Sequence, residues 1–247
     1  MSRLSKREKR IQRQQGIIDA EGNINTKSIG IRGDIEPMTD AQRDAFDAWD
    51  EGHNLMLHGI AGTGKTFLAL LFAIKGVWDK KSPYEKVYII RSTVPSRDQG
   101  FLPGTQKQKE AVYEEPYHPI CNTIFGRGDA YALLKQRNLV EFRSTSFLRG
   151  ATFDNCILVV DEMQNMAGNE LHTVMTRVGN NCKIIFAGDI KQDDLTSKRY
   201  NEESGLRDFM RIIERMDEFE FIEFLAEDIV RSDLVKSYII ERDKLGL

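Results

Sequence analysis

Short apolar segments alternate with longer amphipathic segments along most of the chain. Six short segments have the composition and spacing of strands, and they cover 54–58, 86–91, 139–143, 155–160, 183–187 and 219–224. Between them, apolar residues recur at helical spacing, for example at Leu206, Phe209, Met210 and Ile213. Strands that alternate with helices predict an α/β fold in which a parallel sheet carries helices on both faces.

A polar N-terminal segment and a long aperiodic segment interrupt this pattern. Residues 1–35 have no periodic apolar face and include a basic cluster, formed by Arg3, Lys6, Arg7, Lys9, Arg10 and Arg13. We expect a flexible tail that either contacts nucleic acid or increases the solubility of the protein. The domain is expected to span 36–247. It should include an insertion at about 92–150, because long segments without periodicity are usually functional or mobile.

The composition fits a soluble globular protein. Of the 247 residues, 40% are hydrophobic and 30% are charged, and 35 Lys and Arg nearly balance 38 Asp and Glu. Affinity for nucleic acid must therefore come from local basic patches. No apolar run resembles a signal peptide or approaches the roughly 18–20 residues of a membrane helix. We therefore expect no membrane contact. Three widely spaced cysteines predict reduced thiols in a cytoplasmic protein and no zinc site.

A glycine-rich segment follows the strand predicted at 54–58 and precedes a helix. It fits G-x-x-x-x-G-K-[ST], the phosphate-binding loop (P-loop), and consists of Gly59, Ile60, Ala61, Gly62, Thr63, Gly64, Lys65 and Thr66. Its glycines let backbone N–H groups approach phosphates, and the following helix adds positive potential. Lys65 would reach the β- and γ-phosphates, and Thr66 would bind Mg²⁺. The alternative, a tight turn with a solvated lysine, explains the flanking strand and helix less well.

Two carboxylates end the strand predicted at 155–160. Asp161 would hold Mg²⁺, directly or through water, and Glu162 would orient and deprotonate an attacking water. Both can stay ionised beside Lys65 and a metal ion, because the cations offset their repulsion. The alternative is an acidic pair exposed to solvent. Glu162 also argues against a nucleotide kinase, since a hydrolase benefits from a carboxylate beside the water.

Four further residues are candidates for contact with the nucleotide. Gln42, in the first turn of a helix predicted from Thr39 or Asp40, can pair with an adenine edge, although alone it would be a surface glutamine. Gln192, after the strand at 183–187, could contact the γ-phosphate or the attacking water. Arg231 and Arg177 are candidate arginine fingers, and each could equally form a surface salt bridge.

These residues together resemble the PhoH family of ATPases, whose core is similar to that of superfamily 1 helicases. The matching stretches are Gln42, 59–66, 100–104, 149–153, 161–165, 176–179, 188–189 with Gln192, and 228–235. The Gly-Phe-Leu-Pro-Gly segment at 100–104 and the Arg-Gly-Ala-Thr-Phe segment at 149–153 are the most specific. Met163 departs from the family, which usually has alanine there. The resemblance implies one RecA-like domain that binds ATP and Mg²⁺, with Gln42 as the adenine reader.

The resemblance also implies partners. Superfamily 1 helicases place a second RecA-like domain across the nucleotide, and this chain is too short to contain one. A neighbouring subunit would supply that wall, in a ring that we expect to be a hexamer. The family is associated with RNA, and basic and aromatic side chains are mixed in 91–150, at Arg91, Arg97, Phe101, Lys107, Lys109, Tyr113, Tyr117, Arg127 and Arg143. An ordinary folded insertion would explain the same composition.

The function expected from these features is a Mg²⁺-dependent ATPase of PhoH type. Hydrolysis would be coupled to binding or unwinding of single-stranded nucleic acid, with RNA favoured over DNA. A second interpretation is a ring-forming regulatory ATPase that acts on a partner protein such as a nuclease. A third is a small-molecule kinase, which the identity of the phosphate acceptor would exclude.

Overall fold

A single six-stranded sheet organises the domain. The computed structural model describes residues 30–33, 35–93, 111–148, 150–190 and 205–245. Within these ranges the strands are β1 (Asn54–Gly59), β2 (Lys86–Arg91), β3 (Val140–Ser144), β4 (Cys156–Val160), β5 (Cys182–Ala187) and β6 (Phe219–Phe224). All six strand positions predicted from the sequence are confirmed to within about two residues, which is the usual uncertainty of element ends.

Seven α-helices that lie wholly within the described ranges accompany the strands. They are α1 (Asp40–Asp50), α2 (Lys65–Trp78), α3 (Tyr117–Phe125), α4 (Ala130–Gln136), α5 (Gly168–Met175), α6 (Leu206–Ile213) and α7 (Asp233–Lys244). Helix α1 starts as predicted, because the Thr39 side chain accepts a hydrogen bond from Gln42 N and so caps the first turn. None of the described helices is long and apolar enough to cross a membrane.

The strand order is β3-β2-β4-β5-β1-β6, and every neighbouring pair is parallel. The predicted parallel α/β fold is therefore confirmed. The carboxyl ends of all six strands meet at one edge of the sheet, since the pairs are parallel. In open sheets of this kind, ligands bind at that edge. The loop after β1 and the acidic residues after β4 both begin there, separated by β5.

Alternate residues of each central strand enter opposite halves of the core. In β1, Leu55 and Leu57 pack with α1, α2 and α3, whereas Met56 packs with α5 and α6. Strand β4 divides in the same way, with Ile157 and Val159 in the first core and Leu158 and Val160 in the second. Strands buried on both faces have few polar positions, which explains the nearly continuous apolar runs in the sequence.

The range expected to be an insertion is partly a component of the sheet. Strand β3 pairs with β2 from Val87↔Val140 to Arg91↔Ser144 and forms an edge of the sheet. Helices α3 and α4 precede β3, and their buried residues join the core on the α2 side. The basic tail at 1–29, the segment at 100–104, Arg149 and Gln192 lie outside the described residues.

The last helix leaves most of its apolar face uncovered by the domain. Helical spacing places Leu234, Val235, Tyr238 and Ile239 on one face, but no residue of α7 is buried. Leu234 is 82% exposed and Tyr238 is 67% exposed. Ile239 contacts the domain instead, since its Cδ1 lies 3.3 Å from the position that a Cβ on Gly62 would occupy. The amphipathic pattern of α7 therefore leaves apolar surface beside the glycine-rich loop.

Candidate active site

The glycine-rich loop joins β1 to α2 and has the backbone that its sequence predicts. The backbone φ angles of Gly59, Gly62 and Gly64 are 118°, 81° and 92°, values that residues other than glycine rarely adopt. A Cβ on Gly59 would lie 2.1 Å from the carbonyl oxygen of Phe224 in β6. Only glycine allows β1 to pass this close to β6 and turn. The N-terminus of α2 then points into the loop, as an anion site requires.

The ammonium group of Lys65 lies inside this loop. It donates to the carbonyl oxygen of Ile60 at 2.6 Å and to that of Gly59 at 3.2 Å. It also forms an ion pair with Asp189 Oδ1 at 2.9 Å. Burial lowers the pKa of Lys65, and the carboxylate of Asp189 opposes this shift. The result is a buried cation held where phosphate oxygens would replace carbonyl and carboxylate partners.

Thr66 and Asp161 bring the loop and the end of β4 into contact. Thr66 Oγ1 donates to Asp161 Oδ1 at 2.8 Å. Asp161 is 3% exposed, and its backbone N–H donates to Ile90 O of β2. Burial raises the pKa of its carboxyl group, while hydrogen bonds from Thr66 and Tyr117 and the charge of Arg91 oppose that rise. A hydroxyl and a carboxylate at this distance suit Mg²⁺, which prefers oxygen ligands and keeps several waters.

Glu162 occupies a strained backbone position directly after Asp161. Its φ is 53° and its ψ is 44°, in the left-handed region that few non-glycine residues adopt. Gln164 Nε2 donates to Glu162 Oε2 at 2.7 Å, and Asn165 Nδ2 donates to the same oxygen at 3.3 Å. Burial, followed by the charge of Asp161, raises the pKa of Glu162. Such strain is concentrated at functional sites, and a raised carboxyl pKa suits a general base.

Sequence reasoning did not assign a role to Gln164, which connects two strand ends. Besides its bond to Glu162, it accepts a hydrogen bond at Oε1 from the backbone N–H of Asp189 at 3.1 Å. Gly188 makes this possible, because a Cβ there would lie 2.8 Å from Gln164 Oε1 and 2.7 Å from Met163 Cγ. Met163, which departs from the family pattern, is buried in the second core and leaves both carboxylates in place.

Gln42 is buried and supports the loop. Its Nε2 donates to Thr63 O at 3.0 Å, and its Oε1 accepts from Met38 N at 2.9 Å. The sequence-based alternative of an exposed surface glutamine is therefore wrong, since the residue is 5% exposed. Its role as an adenine reader stays a prediction, and both ends of the amide already have protein partners.

The two candidate arginine fingers lie at opposite ends of the sheet. Arg231 lies beside the loop, since its Nε is 3.7 Å from the position of a Cβ on Gly62 and Val230 N donates to Gly62 O at 3.1 Å. Arg177 O accepts from Phe153 N, ahead of β4, and β4 alone spans about 16 Å. The structure therefore does not bring Arg177 to the glycine-rich loop of its own chain. Gln192 lies outside the described residues.

The described part of 91–150 offers little free basic surface. Tyr117 is fully buried, Arg127 pairs with Asp129, and Arg143 pairs with Glu141. Arg91 interacts electrostatically with Tyr117, Glu162 and Asp161. These four candidates for contact with nucleic acid therefore have protein partners, and so does Tyr113, whose hydroxyl donates to Thr93 O at 3.3 Å. Other candidates in this segment lie outside the described residues, namely Arg97, Phe101, Lys107 and Lys109.

Known proteins resemble this chain over most of its length. The family model described as PhoH-like protein matches residues 34–241. A PhoH-like protein of Bacillus subtilis (strain 168) is 30% identical over 223 residues, which are 90% of this chain and 66% of that protein. Protein PhoH of Escherichia coli (strain K12) is 30% identical over 202 residues, which are 81% of this chain and 56% of that protein. The chain thus spans less than two thirds of these relatives.

A solved structure shares the fold at low sequence identity. The large terminase from a thermophilic bacteriophage, in complex with ADP, aligns with a TM-score of 0.50 and 12% identity. The alignment covers 82% of this chain and 49% of the terminase chain. The shared architecture is the RecA-like fold of P-loop ATPases. With the glycine-rich loop and the acidic strand end in contact, and with the family model matched over 34–241, this chain belongs to the PhoH family.

Proposed function

We propose that this protein is a Mg²⁺-dependent ATPase of PhoH type. The observation that carries the proposal is the 2.8 Å hydrogen bond from Thr66 Oγ1 to Asp161 Oδ1. It joins the phosphate-binding loop to the acidic strand end, with Lys65 and Glu162 on either side. A nucleoside triphosphatase needs these two parts in contact. The ADP named with the terminase of the same fold supports a nucleotide as the ligand.

Each residue has a separate role in this proposal. Backbone N–H groups of 59–66 bind the phosphates, and Lys65 neutralises charge on the β- and γ-phosphates. Glu162 orients water and accepts its proton, which its raised pKa favours. Thr66 and Asp161 would hold Mg²⁺, which neutralises charge on the phosphate oxygens when bound. Gln42 would read adenine, and Gln192 would contact the γ-phosphate or the water.

We propose that Arg231 is the arginine finger. Its position beside Gly62 allows a guanidinium to approach a phosphate bound in the loop. An arginine that stabilises transition-state charge is worth about 10³- to 10⁵-fold in rate. Arg177, at the amino ends of the strands, could serve only a nucleotide bound by another subunit.

A ring of subunits, which we propose to be a hexamer, would complete the site. Helix α7 exposes Leu234, Val235 and Tyr238 next to the loop that Ile239 contacts. Apolar side chains so close to the phosphate site favour a protein neighbour there. The same surface supports the second candidate function, a regulatory ATPase that acts on a partner protein such as a nuclease.

Hydrolysis would be coupled to single-stranded nucleic acid, and we propose RNA rather than DNA. The support is the resemblance of the core to superfamily 1 helicases. Within the described part of the chain, Arg127 and Arg143 pair with carboxylates.

Phosphate release from ATP, with and without Mg²⁺, single-stranded RNA and single-stranded DNA, tests the proposal. Release that requires Mg²⁺ and rises with RNA supports a nucleic-acid-coupled ATPase. Release indifferent to both nucleic acids supports the regulatory function, and transfer of phosphate to an acceptor other than water supports a kinase. Light scattering on the same samples gives the mass of the assembly. A monomer with full activity contradicts the ring.

A further inference from the structure

Tyr117 donates a buried hydrogen bond to the proposed metal ligand. Its hydroxyl lies 2.9 Å from Asp161 Oδ2, and the residue is fully buried. Tyr117 is the first residue of α3, and 44 positions along the chain separate it from Asp161. Nothing in the glycine-rich loop or in the acidic pair requires a tyrosine at this place.

The carboxylate of Asp161 is held from two sides. Oδ1 accepts from Thr66 in α2, and Oδ2 accepts from Tyr117 in α3. With one donor on each oxygen, rotation of the carboxylate about its Cβ–Cγ bond would break at least one bond.

The tyrosine ring packs against two other aromatic rings. The ring centroid lies 6.5 Å from that of Tyr131 in α4 and 6.3 Å from that of Phe142 in β3. The position of the hydroxyl therefore depends on the fold of 117–144, whereas Thr66 depends on the glycine-rich loop. Asp161 is the point at which these two parts of the domain meet.

We propose that Tyr117 is a positioning residue that orients Asp161 for Mg²⁺, so that helix α3 contributes to binding of the metal–nucleotide complex. The inference rests on the proposed function. Tyr117 acts through Asp161 and needs no contact with the nucleotide. The variant Tyr117→Phe removes the hydroxyl and keeps the ring, so the effect on the metal can be separated from loss of packing.

Tyr131 provides a matched control. It too is a buried tyrosine that donates to a carboxylate, Glu114 Oε2, at 2.7 Å. It lies in α4 of the same segment, and its ring, which Tyr131→Phe keeps, packs against Tyr117. Its hydroxyl bonds Glu114 and not Asp161. Tyr131→Phe therefore removes an equivalent buried hydrogen bond, and the thermal unfolding temperatures of the two variants should fall by similar amounts.

The test measures binding of the fluorescent ADP analogue mant-ADP during Mg²⁺ titration, which needs no hydrolysis. For Tyr117→Phe, the half-maximal Mg²⁺ concentration should rise about ten-fold, as expected for a lost hydrogen bond to a charged group. Affinity in EDTA should match that of the wild type. Tyr131→Phe should follow the wild-type titration. Excess Mg²⁺ should restore ATP turnover in Tyr117→Phe, which it would not do for a folding defect.

Two results overturn the inference alone. One is a Tyr117→Phe titration that superimposes on the wild type, and the other is an equal shift in Tyr131→Phe. A wild-type protein whose affinity for mant-ADP does not depend on Mg²⁺ overturns the proposed function, and this inference with it.

Discussion

The ammonium of Lys65 and the carboxylate of Asp189 form an ion pair 2.9 Å long inside the glycine-rich loop. A bound phosphate would compete with Asp189 for the same cation. The variant Asp189→Asn should therefore bind ADP a few-fold more tightly near neutral pH, because a neutral amide competes less for an ammonium.

The same pair determines how binding depends on pH. Burial lowers the pKa of Lys65, and the carboxylate of Asp189 opposes this shift. Because the phosphates of ADP bind the charged ammonium, ADP binding is complete below this pKa and is lost as the pH rises through it. Loss should begin below about pH 10.4, the ordinary lysine value, and at lower pH still in Asp189→Asn. Affinity for mant-ADP measured across this pH range checks both shifts. Asp217→Asn, an exposed carboxylate elsewhere, serves as the control. An unchanged alkaline limb in Asp189→Asn would contradict the assignment.

Loss of the general base should separate binding from hydrolysis. Glu162→Gln preserves the shape of the side chain but cannot accept a proton from water. We expect turnover to fall by at least about 10²-fold with ATP affinity nearly unchanged. Rapid-quench measurement of phosphate release, together with ATP binding, checks this. Glu220→Gln, an exposed residue of β6, should hydrolyse ATP at the wild-type rate. Normal turnover in Glu162→Gln would assign the base to another residue.

Replacing Gly59 by alanine should destabilise the protein for two reasons, and the same substitution at two other glycines can separate them. Its φ is 118°, and a Cβ would lie 2.1 Å from Phe224 O. Gly59→Ala should reduce the free energy of unfolding by about 3 kcal/mol or more. Gly52 has φ 102° but no atom within 4 Å of the position that a Cβ would occupy, so Gly52→Ala should cost about 1–2 kcal/mol through strain alone. Gly128→Ala, with neither feature, should be nearly neutral. Urea unfolding of the three variants gives the ranking, and equal losses at positions 59 and 52 would exclude the contact with β6.

Local patterns account for the parts of the fold that the sequence predicted. Strand β2 at Lys86–Arg91 and strand β6 at Phe219–Phe224 were located to the residue, because apolar runs bounded by polar residues carry their own signal. The glycine-rich loop and the pair of Asp161 and Glu162 could likewise be proposed as a site from local sequence. Each motif is short, and its chemistry requires particular residue types in a fixed order.

Relationships between distant positions could not be predicted in this way. The bond between Tyr117 and Asp161 depends on how α3 packs, and the left-handed backbone of Glu162 has no local sequence signal. The motif around Arg177 gives no distance to the loop, but the predicted parallel topology does, because the helix before Arg177 must return to the amino end of the sheet, where β5 begins. For α7, periodicity identified an apolar face correctly but could not tell whether the domain itself covers it.

Gln42 offers the final prediction, because its hydrogen bond to Thr63 O supports the loop whether or not the residue also reads adenine. Gln42→Ala loses the bond from Nε2 to Thr63 O, so binding of inorganic triphosphate should weaken about five-fold. If the amide also pairs with the base, ATP should lose about ten-fold more than inorganic triphosphate does, and preference for ATP over GTP should disappear. Competition against mant-ADP measures all three ligands. Arg43→Ala, the next residue of α1 and an exposed one, should leave every affinity unchanged. Equal weakening of all three ligands in Gln42→Ala would limit the residue to supporting the loop.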